Sequence, residues 1–211
     1  MTREQMNNLV EQYFNKEGYE FPTHQFEHRL ESTSSSMIYS MLRELEPTLC
    51  LHIGTWNGGS TAVSLAAMEK NKKPYLYITS ELLEDKRAQT VYNVFQHVHT
   101  APFMLGDITK QLPVLERLGK LDYLFVDTDH DLETTEWIFK NVVPMLRSGG
   151  LYVMHDWPVE EKKGKWISKD DSWEETDYII KLHESGKLPL SPLYWTWNNP
   201  GQEETGFFTK I

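Results

Sequence analysis

Cysteine is nearly absent from this sequence: Cys50 stands alone among 211 residues, so no internal disulfide can form. It heads an apolar run, where it reads as a buried core thiol of a reducing compartment. Long apolar runs are missing too. No stretch approaches the ~20 residues needed to cross a bilayer, and the opening MTREQMNNLVEQYF is charged, with no apolar signal core. Export and membrane insertion are not expected, and a cytoplasmic location is. Positive charge is in deficit, with 21 Lys and Arg against 31 Asp and Glu and a formal net charge of -10. The acidic residues are scattered rather than gathered in a tail, and the resulting field repels polyanions, so nucleic acid is not an expected partner. Internal repeats and low-complexity tracts are also absent, and the length suits one α/β domain with modest additions.

What is present is a regular alternation. A helical stretch at about 3 to 16 is followed by a loop with Pro22; Ser34 and Ser35 then offer N-caps for the helix MIYSMLREL, which Pro47 closes. Short apolar runs follow: TLCLHIG, PYLYITS, a weak one near 101 to 105, LDYLFVD and LYVMHD. Between them, amphipathic segments predict helices at roughly 59 to 70, 84 to 97, 109 to 118 and 132 to 147, the last stopped by Gly149 and Gly150 after Arg147. Strands alternating with helices predict a mostly parallel sheet covered on both faces. Beyond Asp156 the charged WPVEEKKGKWISKDD has neither period and reads as an exposed loop over the sheet edge. A helix restarts at Ser172, with Glu175 at capping-box spacing, and runs to about Ser185. Strands near 192 to 197 and 205 to 211, joined by Asn-Asn-Pro-Gly, predict an antiparallel hairpin.

Three motifs carry chemistry. In LHIGTWNGGST, residues 51 to 61, a strand runs into a Gly-rich turn that lets backbone approach a ligand. A phosphate loop would need Lys after the last glycine, where Ser60 stands. A dinucleotide fingerprint would need Gly where Trp56 stands. A nucleoside-plus-amino-acid ligand without phosphates fits, and so does a plain tight turn. Glu81 follows the next strand, where a carboxylate can accept from ribose hydroxyls or favour a helix N-terminus. Asp107 could accept from an adenine amino group or cap the following helix. Last, LDYLFVDTDHD and LYVMHDWP end in Asp127, Asp129, His130, Asp131, His155 and Asp156 at one sheet edge. Carboxylates and imidazoles converging there suit a hard cation or a general base, or else cap helices and bind one another.

Together the stretches HIGTWNGGST, FVDTDH and SGGLYVMHD resemble the class I S-adenosylmethionine-dependent methyltransferases, in particular a small-molecule O-methyltransferase branch. The likeness covers about residues 48 to 158 well and the terminal ETGFFTKI loosely. It implies a Rossmann-like methyltransferase fold of seven strands in one domain, with helices over 1–47, a cofactor-binding core over 48–158, and a loop, helix and hairpin over 159–211. The cofactor would be held by His52, Gly54, Thr55, Trp56, Asn57, Gly58, Ser60, Glu81, Asp107, Ile108 and Asp127. His130 and His155 are the candidate bases for a hydroxyl acceptor. Asp127, His155 and Asp156 are the ligand set for a divalent cation such as magnesium, by analogy with cation-dependent relatives. His52 and Thr128 depart from the family pattern, replacing an acid and a glycine. A binding module without turnover, or an oxidoreductase or hydroxylase on the same sheet, are the competing readings. A small-molecule acceptor is expected, and a homo-oligomer is left open.

Overall fold

The computed structural model describes residues 1–18, 32–55, 58–82, 104–162, 165–168, 174–195 and 205–211. Helix α1 (Arg3–Leu9) starts with a capping box: Thr2 accepts from the Gln5 amide, and the Gln5 side chain accepts from that of Thr2. It continues as a π-helix over Val10–Asn15. Helix α2 (Ser32–Leu45) contains Ser34 and Ser35 well inside its first turns, both fully buried, so they pack rather than cap. Strands β1 (Leu49–Ile53), β2 (Leu76–Glu81), β3 (Met104–Leu105), β4 (Leu121–Val126) and β5 (Leu146–His155) are parallel neighbours in the order β3-β2-β1-β4-β5. Helix α3 (Gly59–Asn71) follows β1, and α4 (Leu132–Asn141) follows β4. A short hairpin, β6 (Val159–Lys162) and β7 (Lys165–Ser168), and helix α5 (Glu174–Glu184) lead to β8 (Leu190–Trp195) and β9 (Thr205–Lys210). Strand β9 lies antiparallel between β5 and β8, completing a seven-stranded sheet.

Side chains two apart share a face of a strand, and this sheet buries both. Cys50, Tyr77, Tyr123, Phe125, Leu151, Val153 and Phe207 pack against α2 and α3. Their neighbours Leu51, Ile78, Leu124, Tyr152, Met154 and Phe208 pack against Ile138 and Phe139 of α4 and Ile179 and Ile180 of α5. Full burial of such side chains stabilises by about 1.5–3 kcal/mol each. Burial on both faces is why the strands read as continuous apolar runs.

Three expectations are corrected. The helix forecast over 132 to 147 stops at Asn141; a 3-10 turn at Val143–Met145 follows, and Leu146 already pairs with Leu121 in the sheet. Gly149 and Gly150 therefore lie within β5, where a Cβ at Gly150 would meet Leu146 Cδ1 at 2.9 Å. The charged segment after Asp156 is not an open loop: Trp157, Val159 and Trp166 are buried, and the Trp166 ring stacks on His183 at 3.8 Å. Finally, the segment forecast as a helix at 109 to 118 is a 3-10 turn, Ile108–Gln111, continued by one α turn, Leu112–Leu115. The helix forecast at 84 to 97, the Asn-Asn-Pro-Gly turn and Ser172 lie outside the described residues.

Candidate active site

The sheet order reverses between β1, which pairs with β2 on one side, and β4 on the other. In open α/β sheets the crevice beyond the carboxyl ends of strands at such a point receives ligands. Gly54 makes the crevice here. Its N–H donates to the Ser80 carbonyl at 2.9 Å, while the Asp127 N–H donates to the Ile53 carbonyl at 2.9 Å. The two chains run so close that a Cβ on Gly54, whose φ is +82°, would stand 1.6 Å from the Asp127 carbonyl oxygen. Glycine is thus demanded by strand-end packing as well as by the turn. Gly58, also left-handed, then starts α3.

A cavity of about 580 Å³ opens at this edge, within the ~300–1,000 Å³ usual for small-molecule sites. Its wall combines apolar Ile53, Leu82 and Ile108 with the carboxylates of Glu81, Asp107, Asp127, Asp129, Asp131 and Glu133. Among the described residues no lysine or arginine lines it. The buried Thr128 hydroxyl, also in the wall, has no hydrogen-bond partner among the described residues.

Of the residues expected to hold a cofactor, Gly54, Glu81, Asp107, Ile108 and Asp127 meet around this cavity. Trp56 and Asn57 lie outside the described residues, and His52, Thr55, Gly58 and Ser60 are not in its wall. Thr55 donates through its hydroxyl to the Ser80 carbonyl at 3.2 Å. His52 points to the α3 face, fully buried, with Nδ1 2.9 Å from the Tyr77 hydroxyl and 3.2 Å from that of Thr61, and Nε2 3.3 Å from Ser60 Oγ. Burial pushes its pKa down to about 3, so this ring is neutral at pH 7. Asp107 caps the 3-10 turn, accepting from the Thr109 amide at 2.9 Å and hydroxyl at 2.6 Å. The Thr109 hydroxyl and amide hold its carboxyl below the usual range.

The β4 and β5 ends form a second cluster. His130 and Asp156 adopt left-handed backbone, φ +62° and +52°, uncommon for residues other than glycine and frequent at functional sites. His130 Nδ1 lies 2.5 Å from Glu175 Oε1, and its Nε2 lies 3.3 Å from Asp156 Oδ2. Burial alone would lower the His130 pKa, but Asp156 and Glu175 outweigh it and raise it to about 10. Asp156 is likewise opposed by burial, yet His130 and His155 hold it far below the usual carboxylate range. His155, stacked on Phe125, places Nδ1 3.3 Å from Asp127 Oδ1 and 3.5 Å from Asp156 Oδ1. At the cavity, a hydrogen bond that the protonated Asp129 carboxyl donates to Asp131, together with burial, raises the Asp129 pKa; Asp131 caps α4, accepting from the Thr134 amide at 2.7 Å.

Glu175 is the residue the sequence did not announce. Its capping-box spacing to Ser172 reads as a helix signal, but its carboxylate is 1% exposed and taken by His130 and, at 3.1 Å, by the Thr135 hydroxyl. Only the charge of the DTDH turn it faces could have hinted at it.

Comparison with known proteins now adds to the geometry. The family model described as "Methyltransferase domain" matches residues 51–157. No curated protein matches the sequence. The fold is similar to that of an O-methyltransferase from Bacillus cereus solved in complex with SAH, at 15% identity and a TM-score of 0.68, covering 100% of this chain and 92% of that one. The O-methyltransferase TomG from Streptomyces achromogenes, involved in tomaymycin synthesis and solved with SAM, aligns at 17% identity and 0.63 over 86% of this chain and 81% of its own. The SAH-bound methyltransferase PaMTH1 of Podospora anserina aligns at 15% and 0.61, over 96% and 87%. With a matched core that spans the cavity and the ends of β4 and β5, the chain belongs to the methyltransferase domain family.

Proposed function

We propose that this protein transfers the methyl group of S-adenosylmethionine to a hydroxyl of a small-molecule acceptor. The observation that carries the reading is the charge of the cavity: apolar walls, six carboxylates and no lysine or arginine among the described residues. S-adenosylmethionine bears a sulfonium and an ammonium against one carboxylate, so an anionic cavity favours it. A nicotinamide or flavin dinucleotide would bring its pyrophosphate among those carboxylates, which disfavours the oxidoreductase reading. Glu81 would hold the ribose, Ile108 and Asp107 would frame the adenine, and Asp127 would face the methionine end. The Thr128 hydroxyl, without a hydrogen-bond partner among the described residues, is a further polar group for such a ligand. Gly58 and Ser60 stay in this proposal as the helix start beside the cofactor, Thr55 and His52 as the groups that brace it, and Trp56 and Asn57 as further cofactor-binding residues.

Bound there, the cofactor supplies an electrophilic methyl on a good leaving group, and the chain's part is alignment and proton removal. The two histidines divide the work unequally. His130 is held as a cation by two carboxylates and has no lone pair to accept a proton, so its part is to hold Asp156. His155, beside Asp127, is the better base.

A divalent cation is the second reading. Asp127, His130 and Asp156 each offer one ligand atom, all within 4.8 Å of one another, and His155, expected from sequence to join Asp127 and Asp156, has Nδ1 3.3 Å and 3.5 Å from those two carboxylates. The two carboxylates suit magnesium, but a proton-bearing His130 does not, so the fit is partial. Incubation with S-adenosylmethionine and panels of phenols, polyols and amines, with and without EDTA, tests both readings. Release of S-adenosylhomocysteine with a hydroxylated acceptor supports methyl transfer; loss of that release in EDTA supports the cation; methylation of amines alone contradicts the hydroxyl acceptor.

A further inference from the structure

Glu175 stands outside residues 51–157, on a helix that the family match does not include. Its contacts nevertheless run into the site as an unbroken chain. Glu175 Oε1 is 2.5 Å from His130 Nδ1, His130 Nε2 is 3.3 Å from Asp156 Oδ2, Asp156 Oδ1 is 3.5 Å from His155 Nδ1, and that nitrogen is 3.3 Å from Asp127 Oδ1 at the cavity wall. The second Glu175 oxygen takes the Thr135 hydroxyl of α4 at 3.1 Å, which fixes the carboxylate's plane. A carboxylate is almost never buried this deeply without a specific partner. Here that partner is a histidine whose backbone is itself in a left-handed conformation. Ring nitrogens are oriented by what the other nitrogen bonds, so the side of His130 that faces Asp156 is set by the side that faces Glu175.

We infer that Glu175 is a positioning residue of the active site: it fixes the His130 ring and, through that ring, the Asp156 and His155 side chains that border the cavity at Asp127. The assignment of this border to methyl transfer rests on the function proposed above; the positioning itself does not. The competing role for Glu175 is purely architectural, a tie between α5 and α4 through Thr135.

Histidine-ring 15N and aspartate-carboxyl 13C NMR of the ligand-free full chain separates the two. The wild type is expected to show a His130 Nδ1–H protected from exchange and shifted far downfield by its carboxylate partner. Glu175→Leu loses that resonance and moves the Asp156 and His155 signals. Glu175→Gln, whose amide oxygen still accepts, restores the protected Nδ1–H and most of the wild-type positions. Glu184→Gln, exposed on the same helix, changes none of them. In a His130→Ala background, Glu175→Leu moves Asp156 and His155 no further, because the coupling passes through the ring. The proposal is overturned if folded Glu175→Leu leaves Asp156 and His155 in place, or shifts them equally when His130 is already gone. Should Glu175→Leu not fold, Glu175→Gln and His130→Ala decide: the former must keep the Asp156 and His155 signals near wild type and the latter must displace them, and the reverse contradicts the relay. Calorimetry with S-adenosylhomocysteine is run alongside. Failure of the wild type to bind it contradicts the function and leaves the NMR result standing.

Discussion

His52 and His130 follow adjacent strand tracks of one sheet, yet they live in opposite electrostatic worlds. His52 lies at the α3 face of β1 among three hydroxyls and is driven neutral, with a pKa near 3. His130, just past β4, sits between Asp156 and Glu175 and is driven cationic, with a pKa near 10. Burial disfavours the cation in both, so burial alone does not explain the difference between them. Counter-charges do: hydroxyls can satisfy a neutral ring but cannot offset the cost of a buried cation, whereas two carboxylates can. The family pattern's acid at position 52 is thus replaced by a neutral polar group.

The contrast depends on both regions hanging from one tightly packed edge, and the largest effect should come from loosening it. Gly54→Ala drives a Cβ onto the Asp127 carbonyl and is expected to cost about 4 kcal/mol or more, read as insolubility or a collapsed urea midpoint. The next largest concerns acid. The folded pKa of His52 lies below its unfolded value of 6.5, so its stabilisation is present above pH 6.5 and is lost as pH falls toward 3. Between pH 7 and pH 4 this amounts to about 3 kcal/mol. His52→Asn, which keeps a partner for Tyr77 without titrating, should lose correspondingly less on acidification in paired urea titrations.

For His130 the sign reverses. Its folded pKa is raised, so its stabilisation is full below pH 6.5 and disappears as pH rises through about 10. Its edge position weakens the effect through solvent screening, leaving about 2 kcal/mol between pH 7 and pH 10. His130→Asn should flatten the alkaline limb in thermal melts, and because Asp156 owes part of its low pKa to His130, it should flatten the acid limb as well. The smallest effect tests the cavity itself: Glu81→Gln removes a charge in the wall and is expected to weaken S-adenosylmethionine binding by about 1.4 kcal/mol, or tenfold, without changing stability.

Much of this was legible in sequence, for physical reasons that also mark where legibility ends. Strands buried on both faces announce themselves as apolar runs, and the strand-end residues Gly54, Glu81, Asp107 and Asp127 could be placed at one edge because parallel strands share a direction. The start of β5 was hidden because NVVPMLRSGG continues a helical pattern, and only pairing of Leu146 with Leu121 ends it. The β6–β7 hairpin was masked by its charged residues, although Trp157, Val159 and Trp166 anchor it in the core. His130 was recognised as a candidate base, but its charge environment was not legible, because Glu175 lies 45 positions away in sequence and reaches it only through the packing of α5 on α4. Local spacing carries caps and turns; it does not carry the charge that a distant helix delivers.

Calorimetric titration of the purified protein with S-adenosylmethionine and, separately, with NAD and NADH tests the central claim most directly. The account predicts saturable binding of S-adenosylmethionine, lost in Gly58→Arg at the start of α3, and no binding of either dinucleotide. Dinucleotide binding, or none by S-adenosylmethionine, would contradict it.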